Sequence, residues 1–267
     1  FGFQWAAFPR TQIDGAAAGE IARERFRRAT RWPDDLRGET ILEAGCGAGR
    51  FTAIAAAAGA RVVAFDATEA AHVAASNLAH LPGVRVLRAD LLRPPFRPAS
   101  FDRVLSLGVL QHCRSPRRAF LSLVPLLKPG GWIAADVYPL SPTCLLMGKY
   151  WLRPLARLLP PALLLRLVRS WVPLVHAMTR PLHRPLGSRA RHLCTLLGVA
   201  DYRGVYPLDD AAQREWAVLD TFDMLSPRYD RPRTRRAILR WCREAGLEEA
   251  KVARGGNGWE IRGRRRA

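Results

Sequence analysis

Residues 41–49, Ile-Leu-Glu-Ala-Gly-Cys-Gly-Ala-Gly, constrain this chain more than any other stretch. An apolar run meets a carboxylate, three glycines follow at alternate positions, and the helix-compatible segment 50–58 comes next. This reads as a strand, a tight turn and a helix whose backbone comes close to a ligand, since glycine has no Cβ to hold it off. The spacing is not that of a dinucleotide fingerprint, because Arg50 stands where its third glycine would fall. Glu43 puts a negative charge at the strand end, a poor neighbour for a pyrophosphate and a good one for a cationic ligand.

From Thr40 onward the pattern alternates. Short apolar runs predict strands at 40–44, 61–66, 84–89, 101–107 and 131–137, with helices at 50–58, 69–80 and 116–127 between them. Such alternation gives an α/β fold, Rossmann-like and doubly wound, with ligands beyond the carboxyl ends of the strands. Two last strands near 247–253 and 258–263 complete a mostly parallel seven-stranded sheet, and a helical insert follows the fifth strand. Ahead of the sheet, residues 1–14 form an aromatic arm before a helix at 16–30. After the insert come a helix at 209–219, the loop Thr221–Asp230 and a helix at 235–245, which Thr234 caps and Gly246 ends. The expected organisation is therefore 1–39 arm and helix, 40–137 ligand-binding core, 138–208 basic helical insert, and 209–267 closing helices and strands.

The insert is unusual in charge. No acidic residue lies between Asp136 and Asp201, while Lys149, Arg153, Arg157, Arg166, Arg169, Arg180, Arg184, Arg189 and Arg191 all do. Several of these are three or four apart and stack along one helix face. No apolar run there reaches the ~20 residues that a membrane span needs. Over the whole chain the net charge is +19, and 42 residues are Lys or Arg. Such a balance raises nucleic acid or an anionic membrane surface as a partner, or else reflects a compositional bias toward arginine. The five cysteines are scattered and form no C-x-x-C pair, which argues against a disulfide framework or a zinc site. With no basic-then-apolar leader at the start, a cytoplasmic location is expected, with peripheral membrane contact as an addition.

Further residues recur at telling intervals: Val62-Val63-Ala64-Phe65-Asp66, Arg88-Ala89-Asp90-Leu91, and Phe101 through His112. Together with the glycine turn, these resemble the class I S-adenosylmethionine-dependent methyltransferases, strongly over 40–137 and more weakly over the last strands. The resemblance implies that Glu43, Gly45, Gly47 and Gly49 hold the methionine part of the cofactor, S-adenosyl-L-methionine. Asp66, with Ala67 beside it, takes the ribose hydroxyls. Asp90 and the backbone at Leu91 meet the adenine, and Leu107 and Gly108 lie at the end of the fourth strand. Asp102, at the start of its strand, is read as structural. His112 is the titratable group just past the fourth strand; it serves as general base, packs against the cofactor, or caps the helix begun at Ser115.

The arm, the Tyr202-Arg203-Gly204 stretch and Asp223 through Asp230 resemble a bacterial subgroup of small-molecule methyltransferases. That implies that Gln4 and Trp5 cover the cofactor, that Tyr138, Arg228, Tyr229 and Asp230 face the acceptor, and that the insert forms an acceptor lid. The competing reading is that the aromatics pin the arm to the core and that Ser-Pro-Arg-Tyr-Asp is a self-satisfied turn. The implied activity is methyl transfer to a small apolar or amphiphilic acceptor, most simply to oxygen. Two alternatives stand beside it: an RNA acceptor bound by the basic insert and the Arg262–Arg266 tail, and a membrane-surface module that binds the cofactor without turnover.

Overall fold

The computed structural model describes residues 2–267, apart from the side chains of Thr143, Leu145, His183, Arg184 and Ser188; Phe1 of the arm and the Arg184 side chain of the basic run therefore lie outside the described residues. The chain forms two compact units: Phe1–Pro9, Ala22–Leu140 and Tyr229–Ala267 make the first, Arg10–Ile21 and Ser141–Arg228 the second.

The first unit is built on one seven-stranded sheet. Its strands are β1 (Thr40–Ala44), β2 (Arg61–Asp66), β3 (Val84–Arg88), β4 (Phe101–Ser106), β5 (Leu127–Val137), β6 (Leu247–Arg254) and β7 (Trp259–Arg265). The order across the sheet is β3-β2-β1-β4-β5-β7-β6. β1 through β5 run parallel, and β7 is antiparallel to both neighbours. The order reverses between β1 and β4, and that switch point opens a crevice beyond their carboxyl ends. β1, buried from Ile41 to Ala44, is apolar throughout except for Glu43. One face of the sheet packs Phe26, Trp32, Leu36 and Phe51; Phe120, Leu123 and Trp241 fill another cluster.

The helices of this unit are α1 (Gly2–Ala7), α2 (Ala16–Thr30, which begins in the second unit), α3 (Arg50–Ala57), α4 (Ala70–Leu78), α5 (Pro116–Leu123) and, late in the chain, α10 (Arg235–Glu244). α5 starts where Ser115 accepts the Arg118 amide and proline fills the first turn. Thr234 caps α10 through the Ala237 amide. The expected helix 116–127 ends early: Val124–Leu126 tighten to a 3-10 turn and β5 begins at Leu127, so this strand is longer than its apolar run suggests. The arm is helical from Gly2 to Ala7. Asp102 takes the structural place expected of it, bound to Lys128 Nζ at 2.8 Å and to the Thr40 amide at 2.9 Å.

The second unit is helical: α6 (Gly148–Ala156), α7 (Pro161–Leu186), α8 (Ala190–Leu196) and α9 (Asp210–Leu225). α9 starts on an Asp209 side-chain cap and runs past the expected end at Leu219, because Thr221, Phe222 and Leu225 continue its buried stripe. Thr221–Leu225 is thus helix and not loop, and the 209–267 stretch divides at Arg228, with α9 in the second unit. Arg153 is buried here; it donates to the carbonyls of Met224 (2.9 Å) and Pro227 (2.6 Å) at the end of α9. Asp201 and Arg203 form a second polar cluster with Thr179, and Arg203 holds the Asp201 carboxyl well below the usual range against the opposing effect of burial.

Candidate active site

The glycine turn sits at the switch point. Gly45, Gly47 and Gly49 all have positive φ (+80°, +55° and +94°), a conformation that L side chains rarely adopt. Space is as restrictive as conformation. A Cβ on Gly45 would lie 2.5 Å from Val109, and one on Gly47 would lie 3.0 Å from the Trp5 ring. Trp5 therefore lies over the turn, and α1 rests on the loop after β2, where Gly2 approaches Glu69. Asn77 ties the two parts together, donating to Pro9 O at 2.9 Å and to Ala48 O at 3.0 Å. Gln4 is buried on the same short helix, and its Oε1 has no hydrogen-bond partner among the described residues.

Asp66 ends β2 beside this turn. Its Oδ2 accepts the Gly47 amide at 3.2 Å, and its Oδ1 accepts the Thr68 amide (3.0 Å) and hydroxyl (2.7 Å). The carboxylate is thus fixed in place and half-buried, with three of its roughly four acceptor sites taken and one left on Oδ2. Ala67 beside it is exposed, and its carbonyl receives Arg88 Nε at 3.3 Å. Glu43 is different: it is 2% exposed and accepts a short hydrogen bond from the Thr52 hydroxyl on α3. Burial pushes its carboxyl up to about 8, despite the Thr52 bond and the nearby Arg50 charge.

Asp90 is exposed at the end of the β3 segment, its Oδ1 accepting the Leu92 amide at 2.9 Å. The Leu91 side chain turns into the core. Leu107 is likewise core, while Gly108 (φ +79°) gives its amide to Asp136 Oδ1 at 2.5 Å.

His112 lies in the 3-10 turn Leu110–His112 after β4. Its Nδ1 is 3.0 Å from Tyr229 O, and its ring meets the Tyr138 ring edge-on at 5.4 Å. A carbonyl only accepts, so Nδ1 carries the proton of the neutral ring and Nε2 is the basic nitrogen. Ser115, not His112, caps α5. The 229–233 segment is stitched alongside: Arg231 N donates to Gln111 O, and Arg233 N to Tyr138 O. His112, Tyr138 and the Tyr229 backbone are thus brought together. Arg228 is exposed and belongs to the second unit.

Residues 42–135 match the family described as a methyltransferase domain. The chain is 35% identical over 122 residues to a demethylmenaquinone methyltransferase of Clavibacter sepedonicus, covering 45% of this chain and 50% of that protein. It is 28% identical over 132 residues to a ubiquinone biosynthesis O-methyltransferase of Bordetella bronchiseptica, covering 47% and 53%. The chain thus spans about half the length of these curated relatives. Among solved structures, the phosphoethanolamine N-methyltransferase 2 of Haemonchus contortus, in complex with S-adenosyl-L-methionine, shares the fold at a TM-score of 0.53 and 15% identity, over 94% of this chain and 43% of that one.

Over residues 42–135, then, this chain is similar to methyltransferase domains.

In the first unit two polar residues are not marked by the sequence pattern. Asp136, almost fully buried at the end of β5, gathers the Gly108 amide, Arg25 (3.0 Å) and Asn257 (3.2 Å) and so fixes the loop after β4. Gln111 is completely buried, and neither its Oε1 nor its Nε2 has a hydrogen-bond partner among the described residues. The available signal was a polar residue ending an apolar run directly before the histidine. The residues around the turn fit the methyltransferase cofactor: a turn that only glycine can form, an anchored carboxylate with an Oδ2 site left for a hydroxyl, and two buried acceptors, Glu43 and Gln4 Oε1, suited to cationic groups.

Proposed function

We propose that this chain methylates an oxygen of a small apolar or amphiphilic acceptor, of the quinol or phenol class, using S-adenosyl-L-methionine. The observation that carries the reading is the Trp5-covered glycine turn with Asp66 anchored at its side. Asp66 takes the ribose hydroxyls, Asp90 and the Leu91 backbone take the adenine, and Glu43 and Gln4 favour the charged methionine end. When bound, the cofactor supplies an activated methyl group on a sulfonium, itself a good leaving group.

The chain's residues supply the rest. Holding two reactants in line can account for much of the barrier reduction in a transfer of this kind. His112 is set to receive the proton of an acceptor hydroxyl on Nε2, because Tyr229 O fixes the other nitrogen as donor. Tyr138 packs on that ring and so belongs to the acceptor side. The relatives named for demethylmenaquinone and ubiquinone support the acceptor class.

The test is methyl transfer from labelled cofactor to a panel of catechols, quinols and phenols, read by mass spectrometry. Mass gain on a hydroxyl, lost when that hydroxyl is removed, is the expected result. Transfer only to amines, or only to RNA, would overturn the acceptor assignment.

A further inference from the structure

α7 buries one stripe and leaves a second apolar stripe uncovered. Leu164, Val168, Val172, Val175 and Thr179, spaced by three or four, form the stripe that faces the rest of its unit, where α7 packs on α8 and α9. Leu163, Leu167, Leu174, Met178 and Leu182 recur at four or seven residues on an adjoining face. Leu167, Leu174 and Met178 are 50%, 52% and 60% exposed. α6 repeats the pattern, with Trp151 at 71% and, just beyond the helix, Leu158 at 79%. A helix rarely leaves so many large apolar side chains in a row open to water unless something covers them.

The charge beside them identifies the cover. Arg166 and Arg180 are exposed on α7 outside both apolar stripes, and no acidic residue lies between 137 and 200; Arg169, on the same side, pairs with Glu215 of α9 at 3.3 Å. Among the described residues no helix is long and apolar enough to cross a membrane. A strongly amphipathic helix with leucines on one face and arginines on another lies in a bilayer interface and is drawn to anionic lipid. A nucleic acid would use the arginines and leave the leucines wet. A second copy would cover the leucines but bring two surfaces of like charge together.

We infer that α6 and α7 form a docking surface for an anionic membrane, with the Leu167–Leu174–Met178 stripe in the acyl boundary and the arginines among the headgroups. The docking does not depend on methyl transfer. Delivery of acceptors dissolved in the bilayer does rest on the transfer reading proposed above.

The experiment is sedimentation of the full chain with vesicles of equal parts phosphatidylcholine and phosphatidylglycerol, against vesicles of phosphatidylcholine alone, at low and high salt. The expected result is pelleting with the anionic vesicles, weakened by salt. Leu167→Glu with Leu174→Glu should lower the bound fraction by about tenfold or more, with circular dichroism unchanged. Arg166→Glu with Arg180→Glu should remove the preference for anionic lipid. Should the first pair fail to fold, Leu163→Gln with Leu182→Gln serves the same purpose. Absence of pelleting at low salt overturns the inference, as does pelleting that the leucine variants leave unchanged. Light scattering that shows a dimer split by the leucine variants, with no vesicle binding, assigns the stripe to a second copy. Nucleic acid retained through purification and lost in the arginine variant, again without vesicle binding, assigns it to nucleic acid. Both of these outcomes overturn it.

Discussion

The two units use buried polar groups in opposite ways. In the first, Glu43 and Asp66 lie beside the glycine turn: Asp66 keeps one Oδ2 site beyond its three hydrogen bonds, and burial raises the Glu43 carboxyl. In the second, Arg153 and Arg203 spend their donors on neighbouring carbonyls and carboxylates, while a row of apolar side chains on α7 faces out. One unit carries polar capacity in reserve and the other apolar capacity. The lesson is that charge alone identifies neither role; what matters is whether the fold itself has already satisfied it.

The sharpest test of the first half of this contrast is Asp66→Ala. A charge-assisted hydrogen bond at about 1.5–3 kcal/mol amounts to a loss of about tenfold or more in cofactor affinity, measured by calorimetry, with the far-ultraviolet spectrum retained. Wild-type affinity would show that the ribose lies elsewhere. The second half is tested by Arg153→Met, which leaves the α9 carbonyls of Met224 and Pro227 without their donor. A loss of about 3 kcal/mol in unfolding free energy is expected, with cofactor affinity held. An unchanged melting midpoint would show that the guanidinium was not needed there.

His112→Ala bears on the reserve itself. The expected outcome is a fall in kcat of about 100-fold with the cofactor Kd unchanged, and loss of the limb of the pH profile that reports a base. Unaltered turnover would reduce His112 to a packing residue beside Tyr138. The smallest expected effect concerns Glu43. Its folded-state pKa of about 8 lies above the ordinary 4.5, so the native state holds a proton that the unfolded chain releases. The stability this confers is fully present below the ordinary value and is lost as the pH rises to about 8. A cationic ligand favours the ionised form, so cofactor affinity should climb over the same range with proton release on binding. Calorimetry in buffers of different ionisation enthalpy reads that proton, and Glu43→Gln should abolish it.

What could be read from the chain alone divides along similar lines. The glycine turn, the acids closing β2 and β3, and the alternation of strands and helices were legible, because each is set by neighbours within a few residues. Asp136 and Gln111 were not. Asp136 answers to Arg25 and Asn257, 111 and 121 residues away, and Gln111 differs from a surface glutamine only by its burial. The ends of α9 and β5 were misjudged for a related reason: Thr221 and Gly130-Gly131 look like breaks until the packing around them is known. In the insert, the arginine spacing gave the helical character, but not that Arg153 would be consumed by two carbonyls while its neighbours stayed at the surface.

Asn77 gives the arm its seat. A single carboxamide nitrogen grips both the arm, at Pro9, and the turn it shelters, at Ala48. One substitution at that position would therefore strip a donor from two segments at once, although 68 residues separate Pro9 from Asn77 in the chain.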